Sequence, residues 1–238
     1  MKKEETVIAT ISWARNQKEE EDLRASLGAL AKLSLPVFVT DGGSSEEFIG
    51  FLTSFPQFTV LSAKGLWPQA KQSLVAARDS GAETILYTEP DKLEFFQRHL
   101  PDLLLEARQR EQADVLLAAR SPKGMSTFPA FQQMTETSIN NCCNEVIGKA
   151  VDYCYGPFLF SSQLVDYLDA LPDNCGWGWR PFLFATAHRL GLAVEAFGGD
   201  FTCPPDQQTD DASERIYRMK QLAQNLEGLV LATTTALP

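Results

Sequence analysis

Histidine is scarce: the 238 residues include only His99 and His188. The five cysteines, Cys142, Cys143, Cys154, Cys175 and Cys203, do not stand at the spacing of a zinc site. An odd count in a chain of this length argues against a disulfide framework, so free thiols and a cytoplasmic location are expected. Basic residues are in deficit. Against 31 Asp and Glu there are 21 Lys and Arg, for a net charge of −10. With no long basic run, the chain is a poor partner for nucleic acid or an anionic membrane. No apolar run reaches the ~18 residues that mark a membrane span, so none is expected. The opening Met1-Lys2-Lys3-Glu4-Glu5 lacks the apolar region of a secretory signal. Neither G-x-G-x-x-G nor G-x-x-x-x-G-K-[ST] occurs, which disfavours the usual nicotinamide and phosphate-loop chemistries.

What is present is an alternation of short β-favouring runs with stretches of helical spacing. Strand-like runs lie at 7–12, 36–40, 58–61, 84–87 and 114–119. Between them, Leu23, Leu27, Leu30 and Leu33 recur at helical intervals, and further helices are expected at 46–55, 69–80 and 93–112, the last kinked or split at Pro101. Strands alternating with helices predict an α/β fold, a three-layer α/β/α sandwich around a mostly parallel sheet. The second half is less regular. A loop is expected over 120–131, a polar helix over 132–147, and a strand, tight turn and strand over 153–160. A helix at 181–190, a strand at 192–197, and a last helix at 213–226 packing through Ile216, Met219, Leu222 and Leu226 complete the reading, with a frayed tail from 232. No linker divides the chain, so a single domain over 1–238 is expected, with a first half to about residue 120 and a second half closing on the terminal helix.

The most informative stretch is Thr84-Ile85-Leu86-Tyr87-Thr88-Glu89-Pro90-Asp91. A buried strand ends in two carboxylates with a proline between them, and proline cannot continue a sheet ladder. Acids at a strand's carboxyl end lie where open α/β sheets bind ligands, and such a pair can hold a hard divalent cation. The bland alternative is a solvated acidic loop. Asp41, before Gly42-Gly43, could bond a ribose or simply satisfy its own turn. Lys64 and Lys71 could neutralise phosphate charge, or be ordinary solvated lysines. Trp177 and Trp179 could stack on a sugar or close a core. Arg180 could pair with an anionic acceptor, or be a surface arginine. His188 could be a metal ligand or a structural residue. Asp173, Asp200 and Asp206 could supply a base or a further ligand.

In order, these signals resemble glycosyltransferases of the GT-A fold, family 2 and its relatives acting on small acceptors. Arg15-Asn16 after the first strand looks like that family's nucleotide loop. Asp41-Gly42-Gly43-Ser44 looks like its D-x-G-S turn, Ala63-Lys64-Gly65 the segment near the diphosphate, and Glu89-Pro90-Asp91 its D-x-D metal motif. Tyr155 to Phe160 is similar to the strand closing the donor pocket, and Gly176-Trp177-Gly178-Trp179 with His188-Arg189-Leu190-Gly191 to the acceptor loop and its helix. The resemblance implies a metal-dependent transfer of a sugar from a nucleotide-diphospho-sugar donor to a small or soluble acceptor. Donor contacts would come from Asn16, Asp41, Lys64, Lys71 and Glu89, acceptor contacts from Trp177, Trp179 and Arg180. Asp91, Glu89 and His188 would take Mg or Mn, and Asp173 or Asp200 would act as base. Trp179-Arg180-Pro181 stands where inverting members carry an acidic pair. Two other readings remain open: a catalytically idle sugar-nucleotide or protein-binding module, and a nucleotidyltransferase, although the loop 13–17 lacks the glycines of the latter. The sequence leaves room for a homo-oligomer.

Overall fold

The computed structural model describes residues 6–110 and 113–237. The expectations for Met1–Glu5, for residues 111–112 and for Pro238 lie outside them. In chain order the first elements are β1 (Thr6–Ser12), α1 (Gln17–Ala31), β2 (Val37–Asp41), α2 (Glu46–Thr53), β3 (Phe58–Ser62), α3 (Leu66–Asp79), β4 (Thr84–Tyr87), α4 (Leu93–Arg98) and α5 (Leu100–Gln109). There follow β5 (Val115–Arg120), a short α6 (Pro122–Met125), α7 (Ala130–Ile147), β6 (Phe158–Ser161), α8 (Trp179–Arg189), β7 (Val194–Gly199) and α9 (Ala212–Thr234). The chain forms two compact units, residues 1–112 with 157–166, and 113–156 with 167–238.

In the first unit the strand order is β3-β2-β1-β4-β6. The first four strands are mutually parallel, and β6 runs antiparallel to β4, with Phe158 opposite Tyr87. Nearly every residue of β1 and every residue of β4 is buried. Strands buried on both faces must be covered on both, and parallel strands need crossover helices to do so. In the second unit β5 and β7 form a parallel pair, and β5 is buried throughout. The α/β class and the mostly parallel sheet read from the sequence hold.

The long helix after β4 is split, as expected at Pro101, which sits in the first turn of α5 and cannot continue α4. Several other boundaries differ. The loop over 120–131 contains α6, capped by the Ser121 hydroxyl. Residues 153–157 form no strand; only Phe158–Ser161 does, and a 3₁₀ helix follows at Ser162–Ala170. The last helix continues to Thr234, with Ala232 buried and Arg189 donating to the carbonyls of Ala232 and Thr235, so that part of the tail is docked. Ile216 and Met219, read as packing residues, are exposed; the buried positions of α9 are Gly228, Leu229 and Ala232.

Candidate functional site

Parallel strands in the first unit end on the same edge of the sheet. β2 closes with Asp41 beside Ser12, the last residue of β1, and Tyr87 of β4 lies beside Ala9. Beyond Tyr87 the chain stays fastened to β1: Thr88 N–H donates to the Ala9 carbonyl, and the Thr10 hydroxyl donates to the Thr88 carbonyl at 2.8 Å. Glu89 and Asp91 therefore leave β4 at the edge where the Asp41 turn leaves β2. Only β1 stands between, a lateral separation of about 10 Å for two strand spacings. β3 ends on this edge too, and Lys64 follows it, exposed, just before α3.

Asp41 is buried and its carboxylate is fully engaged. Oδ1 accepts from the Gly43 and Ser44 N–H groups at 2.8 and 2.7 Å, and Oδ2 from the hydroxyls of Ser12 and Ser44 at 2.8 and 2.7 Å. Its work in this structure is to build the turn. Gly42 leaves room there: a Cβ would lie 2.8 Å from Gln69 Nε2 and 2.9 Å from the Trp13 ring, so either side chain would have to shift. Gln69, buried in the first turn of α3, keeps its Oε1 without a hydrogen-bond partner among the described residues. A buried acceptor of this kind beside a strand-end turn is open to a hydrogen bond from water or a bound molecule, and no motif in the sequence points to Gln69.

Glu89 is 8% exposed and Asp91 has a side chain 48% exposed, 3.7 Å from Lys92 Nζ. Hard carboxylate oxygens of this kind suit Mg or Mn, which keep several waters and are commonly held by one or two carboxylates plus substrate phosphates. Among the described residues no group of three or more His, Cys, Asp or Glu could hold an ion. Glu89 and Asp91 are chemically suited to a hard cation that takes its remaining ligands from water or phosphate oxygens. His188, the third predicted ligand, belongs to the second unit, exposed in the last turn of α8.

Asn16 caps α1, its Oδ1 accepting from Glu19 N–H at 3.0 Å. It also lines a cavity of about 700 Å³ with Ala14, Arg15, Glu20, Arg24 and Ser45. Arg15 and Arg24 are tied to Glu19 and Glu20 there. Lys71 is half-buried in the second turn of α3.

The predicted acceptor loop is occupied by the chain itself. A side chain on Gly178 would collide with the Gln224 carbonyl of α9, and one on Gly228 with the backbone of Gly178, so both glycines allow the loop and helix to touch. The Trp177 N–H donates to Gln224 Oε1 at 3.2 Å and its indole N–H to the Tyr217 hydroxyl at 3.0 Å. Trp179 is fully buried, which corrects its assignment to the acceptor: it has no face left for a sugar. Arg180 is buried as well, not a surface residue, and donates to the Tyr153 carbonyl at 3.2 Å. Asp173 is exposed. Asp200 accepts from Lys123 at 2.8 Å and from the Ser121 hydroxyl at 2.5 Å, contacts that hold its carboxyl below the ordinary range and weaken it as a base. Asp206 lies in a single 3₁₀ turn, Pro205–Gln207. All five cysteines are free, and burial pushes the Cys143 thiol up to about 12, so it is inert at neutral pH.

A charged cluster escaped the sequence reading. Arg120, at the end of β5, is buried and bonds Asp152 at 2.6 Å and Glu136 at 2.5 Å. Asp152 also accepts from Asn140 and from the Cys154 N–H, and Arg218 approaches Glu136 at 3.7 Å. Phe128 lies over the guanidinium at 4.4 Å. The one available signal was an arginine closing an otherwise apolar buried strand.

No protein-family profile matches the chain, and no curated protein matches it. Solved structures do. Glucosyl-3-phosphoglycerate synthase from Mycobacterium tuberculosis, crystallised with Mn²⁺, UDP-glucose and phosphoglyceric acid, matches at 16% identity and TM-score 0.67, over 97% of this chain and 81% of that one. The same synthase with uridine diphosphate matches at 16% identity and TM-score 0.65, over 94% and 80%. A mycobacterial protein matches at 15% identity and TM-score 0.66, over 94% and 75%. Together with the strand order and the parallel edge, these likenesses show that the chain has the GT-A fold of nucleotide-diphospho-sugar transferases.

Proposed function

We propose that the chain is a metal-dependent glycosyltransferase, moving a sugar from a nucleotide-diphosphate donor to a small acceptor. The observation that carries this reading is the common edge of four parallel strands, from which Lys64, the Asp41 turn and the Glu89/Asp91 pair all emerge. The ligands of the structural neighbours, UDP-glucose with Mn²⁺ and phosphoglyceric acid, support a UDP-sugar donor and a small anionic acceptor. Glu89 and Asp91 would hold the ion, and a bound divalent metal would offset the charge that develops on the leaving diphosphate. Lys64 and Lys71 add positive charge along the same edge. Asp41 shapes the turn that receives the nucleoside, with Asn16 fixing the start of α1 and Gln69 offering a buried acceptor beside that turn. Trp177 is the acceptor-side aromatic that keeps partial exposure. Five free cysteines support a cytoplasmic setting, and no helix among the described residues is long and apolar enough to cross a membrane.

Incubating the chain with UDP-glucose and other nucleotide-diphospho-sugars, with Mn²⁺ and phosphoglyceric acid, tests the reading by release of nucleoside diphosphate. We expect release by the wild type, reduced at least about tenfold in Asp91→Ala and by chelation of the metal. Equal release by wild type and Asp91→Ala would count against the assignment.

A further inference from the structure

α9 carries a second apolar face that its packing does not use. Its inward side, centred on Gln224, Gly228, Leu229 and Ala232, docks on the second unit. On the opposite side Ala212, Ile216, Met219, Ala223, Leu226 and Val230 follow one another at intervals of four, three, four, three and four. This is the heptad spacing of a coiled-coil seam. A core-facing stripe would be buried, and this one is not: Ile216 is 50%, Met219 49% and Val230 60% exposed, and Leu226 is half-buried. From Ile216 to Val230 the stripe runs about 21 Å at the helical rise. Exposed apolar residues scattered singly need no explanation, but a continuous stripe along one helix marks a contact surface.

The flanking charges choose the occupant. Lys220 and Glu227 border the stripe on one side, both exposed, and Arg215 borders it on the other, already paired with Asp210 at 2.9 Å. If two copies of α9 lay parallel, Lys220 of each would face Arg215 of the other, a cation already engaged by Asp210, so no ion pair would form across the seam. If they lay antiparallel, centred near residue 224, Lys220 of each would face Glu227 of the other, two opposite-charge contacts related by the dyad. Seam charges of this kind set orientation and partner choice. We infer that the outward stripe of α9 is a homodimer seam, in which a second copy of this chain docks its own α9 antiparallel. The sugar-transfer reading plays no part in this inference.

Sedimentation of the full chain over a hundredfold range of micromolar concentration tests it. The wild type is expected to pass from a monomer of 26.4 kDa to twice that mass. Ile216→Glu with Val230→Glu is expected to leave only monomer, while circular dichroism and melting temperature at low concentration stay at wild-type values, since both side chains are exposed. Lys220→Glu is expected to weaken self-association at least about tenfold, and Lys220→Glu with Glu227→Lys to restore it, because the double variant rebuilds both pairs. A wild type that stays monomeric throughout overturns the inference, and so does one that stays monomeric but co-sediments with phosphatidylserine vesicles. A dimer indifferent to the glutamates, or a charge-swapped double variant no better than Lys220→Glu, overturns it equally.

Discussion

Asp152 shows what a single buried side chain does in this fold. Burial works against its charge, but the Arg120 charge and hydrogen bonds outweigh that and hold the carboxyl below its ordinary value. A carboxylate with a depressed folded-state pKa contributes stability that is fully present above the unfolded value of about 4, and that is lost as pH falls toward and through the folded value. Asp152→Asn should therefore cost about 3–5 kcal/mol at pH 7, the range for breaking a buried ion pair. Urea unfolding at pH 7 and pH 3 checks this: the gap between wild type and variant should narrow at pH 3, and a gap independent of pH would contradict the assignment. Arg120 also holds Glu136, so Arg120→Met strands two buried acids and should be worse than Asp152→Asn. None of this was legible in the sequence, because the partners of Arg120 lie 16 and 32 residues away and are brought to it by α7 and the loop before β6. Asp41 was legible as a turn residue; that all four of its contacts would be spent on the turn follows only from the register placing Ser12 beside it.

Among elements, the contact between the Gly-Trp-Gly-Trp segment and α9 is the most constrained. Gly178 and Gly228 let two backbones approach with no side chain between. Gly228→Ala, although favourable for an isolated helix, should destabilise the chain by about 1–3 kcal/mol through overpacking. A lowered urea midpoint with an unchanged m-value would agree; a midpoint raised by the helix preference of alanine would refute the packing account. The sequence fixes the order of strands and helices well in the first half, where each strand is a short apolar run ended by Gly, Pro or acid and each helix has regular spacing. It does worse in the second. The 153–157 segment has β-favouring residues but is held by side chains, Asp152 from one end and Arg180 along it, and not by a ladder. α9 outruns the helix that apolar periodicity predicts because its last turns bury small residues, Gly228 and Ala232, which periodicity in large apolar residues does not register.

For the whole molecule the balance of charge matters most. A chain of net charge −10 repels a nucleoside diphosphate, so any binding must come from local cations. At the edge formed by β3, β2, β1 and β4 stand Lys64 and the carboxylates of Glu89 and Asp91, proposed above to recruit a metal. That edge could be anticipated from the alternation of strands with helices and from the acids after β4, since parallel connections oblige successive strands to end together. The acceptor side could not: the tryptophans that marked it in the sequence are engaged by α9 or buried. Calorimetric titration of uridine diphosphate into the wild type and Asp91→Ala, each with Mn²⁺ and with chelator, tests the central claim most directly. Binding to the wild type that weakens at least about tenfold both without the metal and in Asp91→Ala is the predicted result. Binding that is the same in all four titrations, or absent from the wild type with Mn²⁺, would contradict it.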